Sequence, residues 1–216
     1  MCREIIPGVY SEKAKVRELR AVRGRWAGFS LLEVLMVLLI AMVLLAIGLP
    51  AFLRMWHTIQ LSDAANRVAD ILRLTRYEAI RQNKPIACII QPSGANPGMT
   101  VMWVDSNPNT PSTLDPTEQR ILLGNGGNLL PAGSVPNTSG LIAQAVGTVG
   151  TTNPSPGGPP VWFDARGAVK PPTSVNVFYL NSLAAPEVGF RAVLLMPAGS
   201  LQIWSADTSG NWTVVR

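Results

Sequence analysis

One carboxylate, Glu33, stands near the start of the apolar run "GFSLLEVLMVLLIAMVLLAIGLPAF", which spans residues 28 to 52 and carries no other charge. An ionised carboxylate in hydrocarbon is costly unless a cation pairs with it. The chemistry open to Glu33 is therefore ion pairing rather than catalysis. The remaining reactive side chains assemble no catalytic set. Asp164 with Glu187, or Asp105 with Asp115, would supply carboxylate pairs, but these acids sit in turn-like sequence and nothing links them. His57 is the single histidine; it lies just past the apolar run beside Trp56 and reads as a membrane-interface residue, with no partner ligands clustered around it. Of the two cysteines, Cys2 is in the basic N-terminal stretch, and Cys88 sits in "PIACII" as a small buried hydrophobe. Loss of the N-terminal stretch would leave one thiol and no intramolecular disulfide. There is no glycine-rich phosphate loop, no nucleophile elbow and no Cys/His cluster. The sequence is read as non-enzymatic, with no metal and no cofactor.

The element that must carry Glu33 is a membrane helix. From Val34 to Leu53 twenty residues lack any charge, about 30 Å of helix, which matches the apolar thickness of a bilayer. No second run of this kind follows, so a single span is expected. Residues 1–28 hold Arg3, Lys13, Lys15, Arg17, Arg20, Arg23 and Arg25 against Glu4, Glu12 and Glu18, a net of 7 − 3 = +4. The rest of the chain holds 11 basic and 10 acidic residues, a net of +1. The basicity thus belongs to the N-terminal segment, which the positive-inside tendency keeps in the cytoplasm while the C-terminal part faces outward. Net charge gives no support to a strongly basic nucleic-acid surface.

The helical pattern continues past the span. Between Arg54 and Asn83, Leu61, Ala64, Ala65, Val68, Ile71, Leu72, Ala79 and Ile80 recur at spacings of three and four, the stripe of an amphipathic helix. Asn83-Lys84-Pro85 reads as its end. Phe29 to Asn83 is 55 residues, a rod of roughly 80 Å. Gly48 and Pro50 lie inside it, and Pro50 removes a backbone hydrogen bond, so a kink or local melting is expected there. Arg73, Arg76, Arg81 and Lys84 interleave with Asp70 and Glu78; the pattern suits a solvated face with ion pairs, such as Glu78 with Arg81 or Gln82.

After Pro85 the period changes. "IACIIQ", "MTVMWVD", "QRILLG", "LIAQAVG", "PVWFDARG", "SVNVFYL", "GFRAVLLMP", "SLQIWSA" and "WTVVR" read as short strands between Gly, Pro and Asn turns. The expected fold class is α+β: one long N-terminal helix against an antiparallel β-sheet head. Four regions follow: a basic leader at 1–28, a membrane helix at 29–53, an amphipathic spine at 54–84, and a β-rich head at 85–216. Long loops are expected within 91–160, where "SNPNTPSTLDP", "GNGGN" and "TVGTTNPSPGGPP" occur.

The stretch from Gly28 to Phe52 resembles the N-terminal signature of type IV prepilins and type II secretion pseudopilins: a glycine, an aromatic residue and a glutamate four residues on, just ahead of a span. The resemblance implies that a prepilin peptidase cuts after Gly28 on the cytoplasmic face of the bacterial inner membrane and methylates Phe29. It implies also that Glu33 meets the N-terminal amine of a neighbouring subunit as a fibre grows. The implied partners are other pilin or pseudopilin subunits, the peptidase, an inner-membrane assembly platform and membrane lipid. An uncleaved signal anchor is the plain alternative.

Three later stretches sharpen the resemblance. "RLTRYEAIRQNKPIACII", "VWFDARGAV" and "FRAVLLMPAGSLQIW" are similar to the GspH/FimT family of pseudopilins and minor pilins in Glu78, Ala79 and Ile80, in the Phe163-Asp164-x-x-Gly167 turn, and in Pro197 with Gly199. This implies a pilin-like fold and a minor pseudopilin of type II protein secretion, or else a minor pilin that primes a type IV pilus or receives DNA. FimT-like DNA receptors carry Gly-Arg-x-Arg at the last hairpin. Here the run is Gly199-Ser200-Leu201-Gln202 and both arginines are missing. Arg and Lys supply most of the affinity for phosphate. DNA is therefore disfavoured as a partner, although Trp204 and Trp212 could stack on bases if they were exposed; hairpin and sheet packing is the reading preferred for both.

Overall fold

The computed structural model describes residues 30–94, 99–106, 117–124 and 126–215. Gly28, Phe29, the basic leader with Cys2, and also Asp115 and Arg216, lie outside the described residues. The chain divides into two compact units, residues 1–44 and 45–216.

Helix α1 (Leu31–Gln82) begins where the carbonyl of Ser30 accepts from the backbone N–H groups of Glu33, at 2.9 Å, and Val34, at 3.1 Å. The helical assignment runs unbroken through Gly48 and Pro50. At the other end Asn83 adopts a left-handed φ of 50°. Its N–H donates to the Ile80 carbonyl and that of Lys84 to the Ala79 carbonyl, at 3.2 and 3.3 Å. This paired closure satisfies carbonyls that the helix end would otherwise leave bare, and asparagine is among the few residues that tolerate the conformation. Pro85 then prevents continuation.

In the second unit two sheets enclose the spine of α1. The first contains β1 (Ile86–Pro92), β2 (Thr100–Asp105), β3 (Arg120–Leu123), β6 (Val161–Phe163) and β7 (Val169–Lys170) in the order β3-β2-β1-β6-β7. The second has β4 (Asn128–Leu130), β8 (Ser174–Asn181), β9 (Phe190–Leu195), β10 (Leu201–Ala206) and β11 (Trp212–Val214) in the order β11-β10-β9-β8-β4. A short β5 (Gly150–Thr152) pairs in parallel with β8; the other pairings are antiparallel. The main core lies between α1 and the inner faces of both sheets. It joins Leu61, Val68 and Leu72 of α1 to Ile86, Cys88 and Ile90 of β1 and to Phe178 and Leu180 of β8. Each such large side chain, removed from water, contributes roughly 1.5–3 kcal/mol.

The run "IACII" is apolar at every position because β1 is covered on both faces. Ile86, Cys88 and Ile90 face the helix, whereas Ala87 and Ile89 join Trp103 in a cluster on the opposite face. β8 and β9 do the same, with Val177, Tyr179, Ala192 and Leu194 in a third cluster that includes Trp204 and Trp212.

Three expectations need correction. First, "LIAQAVG" is no strand: residues Thr138–Ala145 form helix α2. Asn137 caps it, accepting from the Gly140 N–H at 3.2 Å, and Leu141 is fully buried against the outer cluster. A good N-cap decides the local choice where an apolar run of four or five residues fits either structure. Second, β4 and β5 begin within "GNGGN" and "TVGTTNPSPGGPP", which read as loops, while the antiparallel head itself is as expected and is built from two sheets among the described residues. Strands of two or three residues are set by pairing partners elsewhere in the chain, not by their own pattern. Third, Ile80 is not on the buried stripe; it is 47% exposed. The stripe instead includes Ala69 and Thr75, which donates to the Ile71 carbonyl at 2.7 Å.

Candidate functional site

Two features bear on function: the apolar part of α1 with its acid, and the cluster of turns at the far end of the spine. In the first, Leu31, Leu32 and the large apolar residues from Val34 to Leu53 are exposed on the chain, between 47% and 83%. An 18-residue window of α1 has mean hydropathy 2.9 with none of it buried, which is long and apolar enough to cross a membrane. Glu33 lies in the first turn of α1 and is exposed, and among the described residues it has no ion-pair partner. Ser30-Leu31-Leu32-Glu33 also has the Ser-x-x-Glu spacing of a capping box, and an acid in the first turn complements the helix dipole. The same residue thus suits two roles: starting the helix and offering a charge to a cation.

The second feature unites the three stretches on which the family resemblance rests. The Asp164 carboxylate accepts from the backbone N–H groups of Ala168, at 2.8 Å, and Arg166, at 2.9 Å, so it folds its own turn. These bonds, with the nearby positive charges of Lys170 and Arg166, hold its carboxyl below the usual carboxylate range. The Val169 N–H donates to the Pro197 carbonyl at 2.8 Å, which joins this turn to the one between β9 and β10. Arg76 of α1 lies across both, donating from Nη1 to the Gly199 carbonyl at 3.1 Å. Gly167 and Gly199 both have φ of +79°. A Cβ on Gly199 would collide with the Gly167 carbonyl oxygen and come within 2.8 Å of Arg76 Nε; one on Gly167 would lie 2.8 Å from Ile80 Cδ1. The shared motif is a packing knot that fixes the helix end to both sheets. Sequence reasoning put Arg76 on a solvated face and missed this clasp, although two glycine-bearing turns were a signal of close approach.

The other candidates are dispersed. Asp164 belongs to the knot beside Arg76. Glu187 lies in the turn preceding β9, and β9 begins near Ser62, 76 − 62 = 14 residues or about 21 Å back along α1. Asp105 is buried in β2. His57 is half-buried next to Trp56, whose ring stacks on Phe52 with centroids 6.5 Å apart. Among the described residues no group of three His, Cys, Asp or Glu is placed to hold a metal. Glu78 accepts from Arg81, at 2.7 and 2.9 Å, and from Gln82, at 2.9 Å, as the helical spacing predicts. Trp204 and Trp212 are 9% and 5% exposed; the first donates to Gln202 at 3.2 Å and the second packs on Tyr179. Neither ring is open to a base. Arg191 is 9% exposed and donates to Ser62 Oγ and the Phe190 carbonyl, and burial lowers its affinity for the proton. It ties β9 to the helix, a role the sequence did not signal. Cys88 is fully buried beside Thr75, and loss of solvation pushes its thiol up to about 12.

The chain is similar to two crystal structures of the type IV minor pilin FimU of Pseudomonas aeruginosa. One matches at 18% identity, covering 69% of this chain and 99% of that one, and the other at 17%, covering 72% and 92%; the TM-score is 0.43 in both cases. No curated protein matches the chain. Residues 64–199, 136 of the 216, match the family described as Type II transport protein GspH. That stretch runs from the buried face of the spine to the last glycine of the knot, and over it the chain belongs to the GspH family of pilin and pseudopilin subunits.

Proposed function

We propose that this chain is a minor pseudopilin of type II protein secretion. In this reading residues 1–28 form a cytoplasmic leader, prepilin peptidase cuts after Gly28, and Phe29 becomes the methylated first residue. Residues 29–53 anchor the subunit in the inner membrane, with the spine at 54–84 and the head at 85–216 outside. Gly48 and Pro50 are the place where the anchor would bend as it passes from lipid into a fibre, since Pro50 leaves the helix one backbone hydrogen bond short. The observation that carries the proposal is the continuity of α1: one helix, Leu31–Gln82, supplies both the exposed apolar segment with Glu33 and the spine of the head's core.

Glu33 is assigned to assembly. Cleavage after Gly28 creates an amine four residues before it, and the amine of a neighbouring subunit offsets the cost of the buried carboxylate. The family description favours secretion; a minor pilin of a type IV pilus is the alternative, and the neighbouring genes distinguish them. DNA uptake is disfavoured by the burial of Trp204, Trp212 and Arg191.

Gly28→Ala tests processing. The expected result is accumulation of the uncut precursor with no N-methylated product. A mature band of unchanged mass that is still N-methylated would overturn the assignment.

A further inference from the structure

A cleft of about 310 Å³ opens where the β6–β7 edge of one sheet faces the β5–β8 edge of the other. Its walls are rings: Trp162 with Pro154, Pro159, Pro160 and Pro171. Among the described residues Lys170 is the single charged side chain in the lining. The volume falls at the lower end of the roughly 300–1,000 Å³ typical of ligand sites, which are mostly apolar with few polar groups.

Trp162 is partly exposed and supported from behind. It pairs across the sheet with Ala87 and Lys170, and packs on the cluster of Ala87, Ile89 and Trp103. Its ring is a braced platform rather than a mobile surface residue.

The polar lining narrows the occupant. Asn153 donates to the Val177 carbonyl at 2.8 Å and accepts from the Ala132 N–H at 3.1 Å. Asn176 accepts from the Thr152 hydroxyl at 2.6 Å. The Asn153 amide is taken up in holding the wall together, whereas the Asn176 Nδ2 and the Ser174 hydroxyl add only a small polar margin to a lining made mostly of rings. Lys170 differs: it is exposed and, among the described residues, makes no hydrogen bond or ion pair. Its near acid, Asp164, is occupied by the N–H groups of its own turn. The greater part of what the cleft offers is thus a set of ring faces and one cation. Ring-lined grooves of this type take polyproline II segments, whose fixed backbone loses little entropy on docking.

We propose that this cleft is a docking site for an extended, proline-containing peptide segment that bears a carboxylate. The prolines lie against Trp162 and the proline rings of the wall, and the carboxylate pairs with Lys170. The site does not depend on cleavage at Gly28 or on fibre assembly.

The test is calorimetric titration of the full chain in detergent with two acetylated pentaproline peptides, one with a free C-terminal carboxylate and one amidated. The expected result is a dissociation constant between about 10 µM and 1 mM for the first, weakened about tenfold or more by Trp162→Ala and retained within a few-fold by Trp162→Phe. Lys170→Ala should weaken the free-acid peptide severalfold and leave the amidated one unchanged. If circular dichroism finds Trp162→Ala unfolded, Pro159→Ala, at an exposed ring, takes its place. Absence of binding at millimolar peptide, equal binding by all variants, or preference for a linear oligosaccharide over the peptide would each overturn the proposal.

Discussion

Replacing Gly199 by alanine should cost the head about 2–5 kcal/mol, because two penalties fall on one atom. At a φ of +79° an L-residue loses roughly 1–2 kcal/mol relative to glycine. The new methyl would also collide with the Gly167 carbonyl oxygen and approach Arg76 to 2.8 Å at Nε and 3.0 Å at Cδ. Arg76 can yield at some cost to its bond with the Gly199 carbonyl, but the Gly167 carbonyl is backbone whose N–H is tied to Asp164. Overpacking of this kind typically costs about 1–3 kcal/mol. A loss of this size is a large share of the roughly 5–15 kcal/mol that stabilises a typical domain. For a head of this size it should lower Tm by roughly 5–15 °C. Thermal and urea unfolding followed by circular dichroism in detergent measures it. Gly133→Ala is the control, since Gly133 has nothing within 4 Å of a new methyl and no positive φ; it should shift Tm by less than about 2 °C. A Gly199→Ala protein as stable as the control would refute the view that the two turns and Arg76 form a rigid knot.

Two further outcomes follow from the titrating groups. Asp164 and Asp207 both have lowered carboxyl affinities for the proton because backbone N–H groups donate to them. Their stabilisation is therefore present above the unfolded carboxylate range and lost as pH falls through the folded values; Tm measured from pH 7 downward should fall, and Asp164→Asn should flatten part of that fall. Cys88, raised from 9.0 to about 12 by burial, carries about a thousandfold less thiolate at pH 8 than an ordinary cysteine. In a Cys2→Ser background, iodoacetamide labelling should be slower than in urea by at least that factor, and stability should decline on the alkaline side as pH rises toward 12, whereas rapid labelling of the folded protein would contradict full burial.

The parts of this molecule that follow from local rules were legible in its sequence. The apolar run after Gly28, the stripe of Leu61, Val68 and Leu72, the stop at Pro85 and the long strands β1, β8, β9 and β10 each follow from periodicity or from a terminator. The acid pairs on the helix, such as Glu78 with Arg81, follow from spacing alone. The misread parts depend on distant contacts. Leu141 lies in an apolar run that fits strand or helix, and the Asn137 cap, itself fixed by a bond to the Gly210 carbonyl, decides for helix. Ile80 keeps helical register with the buried stripe, yet at the last turn of α1 its Cδ1 lies over Gly167 and the side chain stays 47% exposed. Arg76 and Arg191 look like surface cations until the fold brings carbonyls and Ser62 against them. The candidate site divides in the same way: Glu33 is conspicuous because it interrupts a local pattern, while the knot is a relation among three stretches up to 123 residues apart.

The most direct measurement of the central claim is incorporation of a Glu33→Leu subunit into the fibre, assayed by disulfide or photo-crosslinking to neighbouring subunits in the membrane. The variant should insert and lose its leader as the wild type does, because the apolar length of α1 and the Gly28-Phe29 bond are unchanged, and its crosslinks to neighbours should fall to a small fraction of the wild-type yield. Crosslinking at the wild-type level would contradict the account and would leave Glu33 with no role beyond starting its helix.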